Sequence, residues 1–361
     1  MIVQRSGDFA AFRAKSAQQI DDHGAFFQTA DWFELLAQHG LPTGTHLQWL
    51  MVTNDGSPIL CLPLIQESGR LSSLSNFYTP LYAPLLLHDG LTASDWPMDS
   101  LPARALSAIA RFLRRHKPCP AVIQLQPLDT TGAFYPAMRS ALTTAGYAVD
   151  HYFCFGNWSL PCTGLSFADY FAQRPSALQN TVHRARKKLD RASAWKIDIH
   201  SQPGDSLDAA INAFETIYQR SWKPAEAFPD FVRRLCVLAA QKGKLRLGVL
   251  SLNGVAIASQ IWLVDQGKAY IFKLAYDPDA ARFSPGSLLT AALMEHVLDY
   301  DTVDEIDYLS GDDAYKQDWM SHRRERHGLI AFDLRTPRGL LAATRHFSGK
   351  KFRAWKADRT L

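Results

Sequence analysis

A hairpin signal in the second half of the chain constrains the fold more than any other feature. Asn253-Gly254 separates two apolar, strand-like runs, Lys244–Leu252 and Val255–Val264. Both central residues of such a tight turn must accept a positive φ, which Asn and Gly do more readily than other residues. The pattern continues with a third strand, a helix and a buried strand, predicted at Lys268–Tyr276, about Pro285–Leu298 and Glu305–Leu309. A hairpin, a helix and a buried strand in this order are typical of an α/β protein.

The first half of the sequence repeats this order. Two strand-like runs, Leu47–Thr53 and Pro58–Leu64, flank Asn54-Asp55-Gly56-Ser57, which predicts a second hairpin. A helix with one apolar face and a buried strand follow, at Leu106, Ile109, Phe112 and Leu113 and at Ala121–Leu125. An Asp31 cap with Glu34 three residues later predicts an earlier helix. An internal duplication and a coincidence between two α/β patterns both explain the recurrence.

The length of 361 residues and the hydrophobic content of 47% predict two domains of ordinary size. We expect the boundary near 160–164, just before Ser166 and Asp169, which together resemble a capping box at the start of a helix. After Asp333 the chain has eight Lys or Arg residues against one acid, Asp358, which predicts a basic C-terminal helix. The predicted divisions are therefore 1–160, 161–334 and 335–361.

The cysteines and the termini indicate a reducing compartment. Five cysteines are scattered along the chain, at Cys61, Cys119, Cys154, Cys162 and Cys236. They form no C-x-x-C pair and have no His at ligand spacing, so we predict neither a disulfide framework nor a metal site. The N-terminus lacks an apolar export segment, and no stretch approaches the ~20 apolar residues that cross a bilayer. A cytoplasmic location is expected, and the mild net charge of +4 gives no reason to expect DNA as a partner.

A predicted helix over Pro175–Ala192 has two distinct faces. Its apolar residues recur at helical spacing, at Leu178, Val182, Ala185 and Leu189, and basic residues occupy another face, at Arg184, Lys187, Lys188 and Arg191. Such a basic stripe can bind phosphate groups of a nucleotide-linked or polyanionic substrate. A solvated basic face explains the same pattern. The C-terminal helix, with Arg345, Lys350, Lys351, Arg353 and Lys356, leaves the same two interpretations open.

A Gly-containing loop, Arg282–Leu289, leads from the third predicted strand into a helix. Unpaired backbone N–H groups and the positive end of the helix dipole make such a junction a site for a pyrophosphate. Pro285 suits the first helical turn. Ser-Pro-Gly-Ser is also an ordinary start of a helix, so the loop alone does not separate the two interpretations.

The segment Ile306–Trp319 ends a predicted strand in Ser-Gly-Asp and turns into a short helix. Polar groups at the carboxyl end of a sheet strand lie where ligand sites of α/β proteins gather. By three- and four-residue spacing, one helical face is predicted to carry an acid, a phenol, an ammonium and an indole, at Asp312, Tyr315, Lys316 and Trp319. Both a catalytic site and a salt-linked structural face fit this set.

Together these segments resemble the acetyltransferase domain of the CelD/BcsL type, a GNAT branch related to the FemAB peptidyltransferases. The resemblance covers about residues 165–330 and is carried by Arg184-Ala-Arg-Lys-Lys-Leu, the run from Gly243 to Ser259, Ala275-Tyr-Asp-Pro, Ser284-Pro-Gly-Ser-Leu-Leu and Tyr315-Lys-x-x-Trp319. Phe27-Gln-Thr-Ala-Asp-Trp32 also looks like the start of the first GNAT-like domain of FemAB-type proteins. This second similarity favours the duplication.

The resemblance implies an α/β (α+β) fold of two tandem GNAT-like domains, the first degenerate, each a mixed, mostly antiparallel sheet flanked by helices. It implies that acyl-CoA (acetyl-CoA) is the co-substrate and that no metal is needed. It also implies which residues bind the donor and the substrate. The donor's pantetheine would pair with the strand at Ala256, Ile257 and Ala258, its pyrophosphate would bind at Arg282, Ser284, Gly286 and Ser287, and the substrate would contact Arg184, Lys187, Lys188, Tyr276 and Trp319.

The loop departs from the usual GNAT pattern Arg/Gln-x-x-Gly-x-Gly/Ala. Counting from Arg282, Pro285 stands where the first Gly is expected and Ser287 where the second is. FemAB relatives use aminoacyl-tRNA on the same scaffold, so tRNA remains an alternative donor. A basic surface made by the two basic helices would favour it through contacts with phosphates.

Acyl transfer to an amine needs a neutral nucleophile, a donor to the developing oxyanion and a proton for the leaving group. We predict that Lys316 stabilises the oxyanion or orients the donor carbonyl. Tyr315 would protonate the leaving group, and Asp312 would accept the amine proton. The predicted function is an N-acyltransferase that moves an acyl group from acyl-CoA to an amine on a sugar, a peptide or a cell-envelope or exopolysaccharide precursor. The alternatives are an aminoacyl-tRNA-dependent peptidyltransferase and a non-catalytic binding module of the same fold.

Overall fold

The computed structural model describes residues 1–8, 25–87, 96–117, 119–192 and 194–357, with side chains up to residue 350. Thirteen strands are formed by described residues: β1 Ile2–Ser6, β2 Leu47–Asn54, β3 Ser57–Glu67, β4 Arg70–Ser73, β5 Leu85–Leu86, β6 Val122–Leu128, β7 Ala148–Pro161, β8 Trp195–His200, β9 Leu245–Leu252, β10 Val255–Asp265, β11 Lys268–Tyr276, β12 Glu305–Asp307 and β13 His322–Phe332. The α-helices of the same part are α1 Ala30–His39, α2 Leu101–Arg115, α3 Phe134–Thr144, α4 Phe167–Ala172, α5 Ser176–Ala192, α6 Asp205–Arg220, α7 Pro229–Gln241, α8 Pro285–Glu295, α9 Lys316–Trp319 and α10 Pro337–Ala357.

The chain divides into two compact units. Unit 1 comprises residues 1–155 and 325–361, and unit 2 comprises residues 156–324. The basic C-terminal helix α10 therefore belongs to unit 1. Lys351, Arg353, Lys356 and Asp358, which the sequence analysis included in the basic tail, have side chains outside the described residues.

Unit 1 is a mixed, mostly antiparallel sheet with helices. Strands β1 to β4 pair antiparallel in succession, β4 pairs parallel with β6, and β6 pairs antiparallel with β13. The hairpin turn between β2 and β3 lies where the sequence predicts it, with Asp55 and Gly56 at φ 50° and 84°. Helix α1 begins at Ala30 and is capped by the Thr29 side chain, which accepts from the Trp32 backbone N–H. The cap predicted at Asp31 is thus wrong by two residues, and Asp31 lies in the first turn.

Unit 2 repeats the same succession of pairings. Strands β8 to β11 pair antiparallel, β11 pairs parallel with β12, and β12 pairs antiparallel with the end of β7. Asn253 and Gly254 take the predicted positive φ, 52° and 77°. The predicted fold class, with a mixed, mostly antiparallel sheet flanked by helices in each unit, is confirmed, and the shared pairing order supports an internal duplication.

The core of unit 2 forms where α5 and α8 pack on the sheet. Leu178, Val182, Ala185 and Leu189, the predicted apolar face of α5, are all buried there. Gly248 of β9 allows α8 to approach closely, since a Cβ at that position would lie 3.0 Å from methyl carbons of Leu289 and Leu293. The sheet and α8 thus hold one another at a fixed distance, which sets the position of the α8 N-terminus.

Two predicted elements differ from the structure. Strand β12 ends at Asp307 instead of Leu309, and Leu309 has φ 54°. The helix that follows has only four residues and begins at Lys316, so the predicted four-residue face does not form. Asp312 lies in the loop before the helix, where helical spacing does not apply. Within the described part of the chain, no helix has the length and apolar character that crossing a membrane requires.

Candidate active site

A break in strand pairing creates the site in unit 2. Strand β11 has nine residues, but β12 pairs with it only at Lys268, Ala269 and Tyr270. The remaining stretch of β11, from Ile271 to Tyr276, pairs with β10 and lies beyond the β12 register. Because β12 is so short, the two parallel strands separate after three pairs, and a cleft opens beside the rest of β11.

The cleft has a volume of about 520 Å³. Its lining residues come from α5, the loop after α6, β10, β11, α8 and the segment after β12: Ala177, Leu178, Thr181, Trp222, Lys223, Gln260, Leu274, Tyr276, Gly286, Ser287, Thr290, Tyr308, Asp313, Tyr315, Asp318 and Trp319. A volume of this size is typical of small-molecule sites. The first turn of α8, with Gly286 and Ser287, and the corner around Gly311, with Tyr308, Asp313 and Tyr315, therefore line one groove.

The N-terminus of α8 opens into this cleft. Ser284 has a left-handed backbone, with φ 47° and ψ 50°, and its side chain makes no capping hydrogen bond to the described residues. The N–H groups of Gly286 and Ser287 belong to the first turn, which offers no intrahelical acceptors. Gly286 lies against Tyr276, since a Cβ there would be 3.3 Å from the ring. The arrangement suits an anion, which helix N-termini attract.

A chain of polar groups leads from the core of unit 2 to the cleft. The Gln260 amide accepts from Trp262 at 2.9 Å and donates to the Thr290 hydroxyl at 2.8 Å and to the Gly286 carbonyl at 3.1 Å. Thr290 and Tyr315 in turn form side-chain hydrogen bonds with the buried hydroxyl of Tyr308. This network fixes the first turn of α8 and the phenol of Tyr315 relative to each other.

Tyr315 is the only one of the three predicted catalytic residues among the residues that line the cleft. Its side chain lies edge-on to Tyr308, with ring centroids 5.8 Å apart. Burial of the hydroxyl, and then the charge of Asp313, raise the pKa of Tyr315 to about 12. The phenol therefore keeps its proton at neutral pH and can donate it.

Lys316 is buried beneath the Gly311 corner, with 4% of the residue exposed. Its ammonium donates to the carbonyls of Ser310 at 2.7 Å, Gly311 at 3.2 Å and Tyr308 at 3.4 Å. It also pairs with the Asp313 carboxylate at 3.5 Å. Burial lowers the pKa of Lys316, and Asp313 opposes this effect. The geometry gives Lys316 the role of holding the corner, and the oxyanion role stays a prediction.

Asp312 lies outside the set of residues that line the cleft. Its carboxylate accepts from Arg323 at 2.6 and 3.0 Å and from the Trp158 indole at 2.9 Å. The hydrogen bonds from Arg323 lower the pKa of Asp312. A carboxylate that is bound in this way is a poor acceptor for an amine proton. Its predicted role as the base stays a prediction that the geometry does not favour.

The basic stripe of α5 continues the line of residues that forms one wall of the cleft. Ala177 and Thr181 line the cleft, and Arg184 and Lys188 follow them at the same helical position, by steps of three and four. Lys188 donates to the Arg282 carbonyl at 2.8 Å, next to the start of α8. Lys187 lies about 100° around the helix from Lys188. Of the three predicted basic residues, Lys188 is therefore the one with a contact next to the α8 N-terminus.

The strand predicted to pair with a donor is occupied on both sides. Ala258 of β10 pairs with Leu250 of β9 and with Tyr276 of β11, and Ala256 pairs with Ser251. Ile257 accepts from the Asp277 backbone N–H at 2.9 Å. A strand whose backbone groups are already paired offers none to a ligand. The stretch that lies beyond the β12 register is one strand further, on β11.

The sequence analysis missed the loop between α6 and α7. Trp222 packs on Tyr276, with ring centroids 4.7 Å apart, and Lys223 donates to the Leu274 carbonyl at 2.5 Å. Asp313 also lines the cleft. The loop residues belong to no motif, and only the packing of α6 brings them to β11. Of the predicted aromatic contacts, Tyr276 and Trp319 both line the cleft, and Trp319 is buried.

Residues 176–317, which lie within unit 2, match the family model of the acetyltransferase (GNAT) domain. No curated protein matches the chain in sequence. The crystal structure of FemX is similar over 91% of this chain and 97% of its own, with a TM-score of 0.57 and 10% identity. A C-terminal domain from Agrobacterium fabrum, assigned to a lysylphosphatidylglycerol synthetase, is similar over 95% of this chain and 96% of its own, with a TM-score of 0.54 and 12% identity.

A conserved protein of unknown function from Bacteroides thetaiotaomicron is also similar in structure, over 92% of this chain and 100% of its own. Its TM-score is 0.54 at 8% identity. At such identities the likeness extends to the fold alone. The family match and the fold together support an acyltransferase domain of the GNAT type in unit 2.

Proposed function

We propose that this protein is an N-acyltransferase of the CelD/BcsL type that moves an acyl group from acyl-CoA to an amine. The acceptor class is a sugar, a peptide or a cell-envelope or exopolysaccharide precursor. One observation carries the proposal: the stretch of β11 beyond the β12 register and the uncapped N-terminus of α8 line the same cleft. The first can pair with an extended chain of amides, and the second can bind its phosphates.

The donor site follows from these two features. The pantetheine would lie along the stretch of β11 beyond the β12 register, so the proposed donor strand is β11 and not β10. The N–H groups of Gly286 and Ser287 would hold the pyrophosphate, with Arg184 and Lys188 close to that end. Pro285 lacks an N–H and supplies none of these bonds, but the Ser287 hydroxyl adds a donor at the cleft. The departure from the usual loop sequence is thus compatible with a phosphate.

The acceptor would approach from the Gly311 side of the cleft. Trp222 and Tyr276 provide an aromatic wall, and Asp313 and Asp318 provide carboxylates for a cationic or hydroxyl-rich substrate. We propose that Tyr315 protonates the departing thiolate, because it lines the cleft and its high pKa keeps it protonated. Lys316 would act indirectly, by holding the carbonyls of the corner in place.

Aminoacyl-tRNA remains the second candidate donor. The basic residues of α5 are exposed beside the α8 N-terminus, where they suit an extended polyphosphate as well as a nucleotide. A non-catalytic module with the same fold is the third candidate. It would keep the cleft without turnover.

Ligand-induced stabilisation separates the three candidates. We expect acetyl-CoA to raise the unfolding midpoint, since a ligand at 100 times its Kd stabilises a protein by about 2.7 kcal/mol. Coenzyme A, longer acyl-CoA thioesters and aminoacyl-tRNA are compared in the same buffer. Stabilisation by aminoacyl-tRNA alone would establish the second candidate, and no shift with any of these compounds would refute both transferase readings. Release of free thiol from acetyl-CoA on addition of glucosamine then measures the transfer itself.

A further inference from the structure

Lys223 lies in the loop between α6 and α7, and its side chain forms part of the cleft wall. The half-buried ammonium donates to the Leu274 carbonyl at 2.5 Å. Leu274 belongs to the stretch of β11 beyond the β12 register. Lys223 therefore contacts the backbone edge along which the donor of the proposed function would lie.

The surroundings of Lys223 combine aromatic rings with charges of both signs. Its Nζ lies 5.8 Å from the ring centre of Tyr218 and 5.9 Å from that of Trp222. Lys273 and Lys316 are the nearby cations, and Asp313 and Glu226 are the nearby acids. Glu226 pairs with Lys273 at 2.6 Å. Of the two acids, Asp313 is the one that lines the cleft together with Lys223.

Burial is the main effect on this amine. Together with the charges of Lys273 and Lys316, it lowers the pKa of Lys223 to about 8, against the opposing effect of Asp313 and Glu226. A substantial fraction of the side chain is then neutral in mildly alkaline solution, unlike an exposed lysine. A group whose pKa lies near the working pH is suited to proton transfer.

The other polar groups of the site are less suited to remove a proton. Asp312 is bound by Arg323 outside the cleft, and Lys316 donates to carbonyls of the corner. Tyr315 is a proton donor at neutral pH. The Asp313 carboxylate pairs with the Lys316 ammonium at 3.5 Å. Lys223 instead contacts the backbone of β11, at the Leu274 carbonyl.

We propose that Lys223 is a catalytic residue that accepts the proton of the acceptor amine; this inference rests on the proposed function. The neutral amine of the acceptor attacks the thioester carbonyl, a C–N bond forms, and the C–S bond breaks with its electron pair on sulfur. The surplus proton of the attacking nitrogen moves to Lys223 Nζ. Tyr315 protonates the thiolate, so the products are an amide and a free thiol. Before the next turnover Lys223 returns its proton to solvent, and the Tyr315 phenolate takes one up from solvent.

Competitive labelling with acetic anhydride, followed by peptide mass spectrometry, tests this position without any acceptor. Labelling of Lys223 in the wild type is expected to be half-maximal near pH 8, and the exposed Lys196 serves as the reference residue. A thioether analogue of acetyl-CoA should reduce the labelling of Lys223 by about tenfold and leave Lys196 unchanged. Binding of the analogue without protection of Lys223 would overturn the proposal.

Kinetics provide the second test. Lys223→Gln is expected to lower kcat for thiol release from acetyl-CoA in the presence of glucosamine by about 100-fold. The rise of rate with pH through about 8 should disappear, while KM for acetyl-CoA stays within about threefold. Lys223→Arg keeps a cation that does not lose its proton, so it should be as slow as Lys223→Gln. Lys196→Gln, at an exposed residue of β8, is the matched control.

The outcomes distinguish this inference from the proposed function. A wild-type protein that binds neither acetyl-CoA nor its thioether analogue would refute the acyl-CoA function and the role of Lys223 with it. Normal binding and turnover by Lys223→Gln, with an unchanged pH profile, would refute only the role of Lys223. Unfolding midpoints of each variant, measured first, confirm that a slow variant is folded.

Discussion

The two units share an order of strand pairings and differ at the position where the parallel strands separate. In unit 2 the stretch of β11 beyond β12 borders a cleft. In unit 1 the same position, between β4 and β6, is closed by the chain itself. The hydroxyls of Ser73 and Ser75 donate to the Gln126 carbonyl at 2.7 and 2.8 Å, and the Tyr82 N–H donates to the Pro127 carbonyl at 2.7 Å.

The helix that follows differs in the same sense. Helix α2 of unit 1 is capped by the Ser100 side chain, which accepts from the Ala103 N–H, whereas Ser284 leaves the start of α8 open to the cleft. The same order of strand pairings therefore supports a cleft in unit 2 and a closed position between β4 and β6 in unit 1. The difference depends on whether backbone groups are satisfied within the chain or left for a ligand. We propose that unit 1 is the degenerate copy and has no donor site of its own.

The largest effect is expected from Asp333→Asn. This variant tests whether a change in unit 1 lowers stability without a change in donor binding. Asp333 is fully buried and accepts from Arg114 at 2.6 Å and from Arg335 at 2.9 Å. Loss of its charge should reduce the free energy of unfolding by about 3 kcal/mol in urea titrations at pH 7. Acetyl-CoA affinity at a temperature where the variant is folded should change less than about twofold. Asp55→Asn, in the exposed hairpin turn, is the control.

The same residue makes a prediction about pH. Hydrogen bonds from Arg335 outweigh the effect of burial and lower the pKa of Asp333 to about 2. Its contribution is therefore complete above the unfolded pKa of about 4 and is lost as the pH falls toward 2. The Asp333→Asn variant should lack this part of the acid destabilisation. Parallel curves for wild type and variant between pH 5 and about 2 would contradict the ion-pair explanation.

The second largest effect should follow from closing the cleft of unit 2 as unit 1 is closed. Gly286→Val places a side chain against Tyr276, at a position where even a Cβ lies 3.3 Å from the ring. Because two N–H donors become shielded, acetyl-CoA affinity measured by calorimetry should fall about 100-fold, or about 2.7 kcal/mol. Gly349→Val, where an added Cβ meets nothing within 4 Å, controls for the substitution. Unchanged affinity would place the phosphate elsewhere.

A smaller effect is expected at the corner that shapes the cleft. Lys316→Met removes the donor to the carbonyls of Ser310 and Gly311 and should lower the unfolding free energy by about 2 kcal/mol. If Lys316 is structural, binding of acetyl-CoA weakens along with turnover. Loss of kcat alone, with unchanged stability and donor affinity, would instead support the oxyanion role predicted from the sequence. Lys196→Met provides the surface control.

The smallest effect is expected from Asp312→Asn. The carboxylate is 44% exposed and pairs with Arg323 outside the cleft, so turnover should change less than about twofold. A loss of 100-fold or more would restore Asp312 as the base. In that event the pH profile of Lys223→Gln would keep its wild-type shape, so the two assignments are mutually exclusive.

Local patterns predicted the elements of the site but not their partners. The hairpin at Asn253-Gly254, the strand Lys268–Tyr276 and the buried face of α5 all lie where the sequence indicates. Spacing along a helix failed for Asp312, because the chain is not yet helical there. The donor strand was predicted to be β10, since one sequence does not show which strands pair with one another.

The sequence by itself determined the two hairpin turns, the strand Lys268–Tyr276 and the start of α8 at Pro285, because turn preferences and hydrophobic periodicity act over a few residues. Tertiary structure alone decided that Lys223 contacts Leu274, 51 residues away in the chain. It also decided that the Lys316 ammonium donates to backbone carbonyls of the corner. The early end of β12 decided that a cleft opens beside β11. These outcomes depend on which groups packing brings together, and packing acts between segments that are distant in sequence.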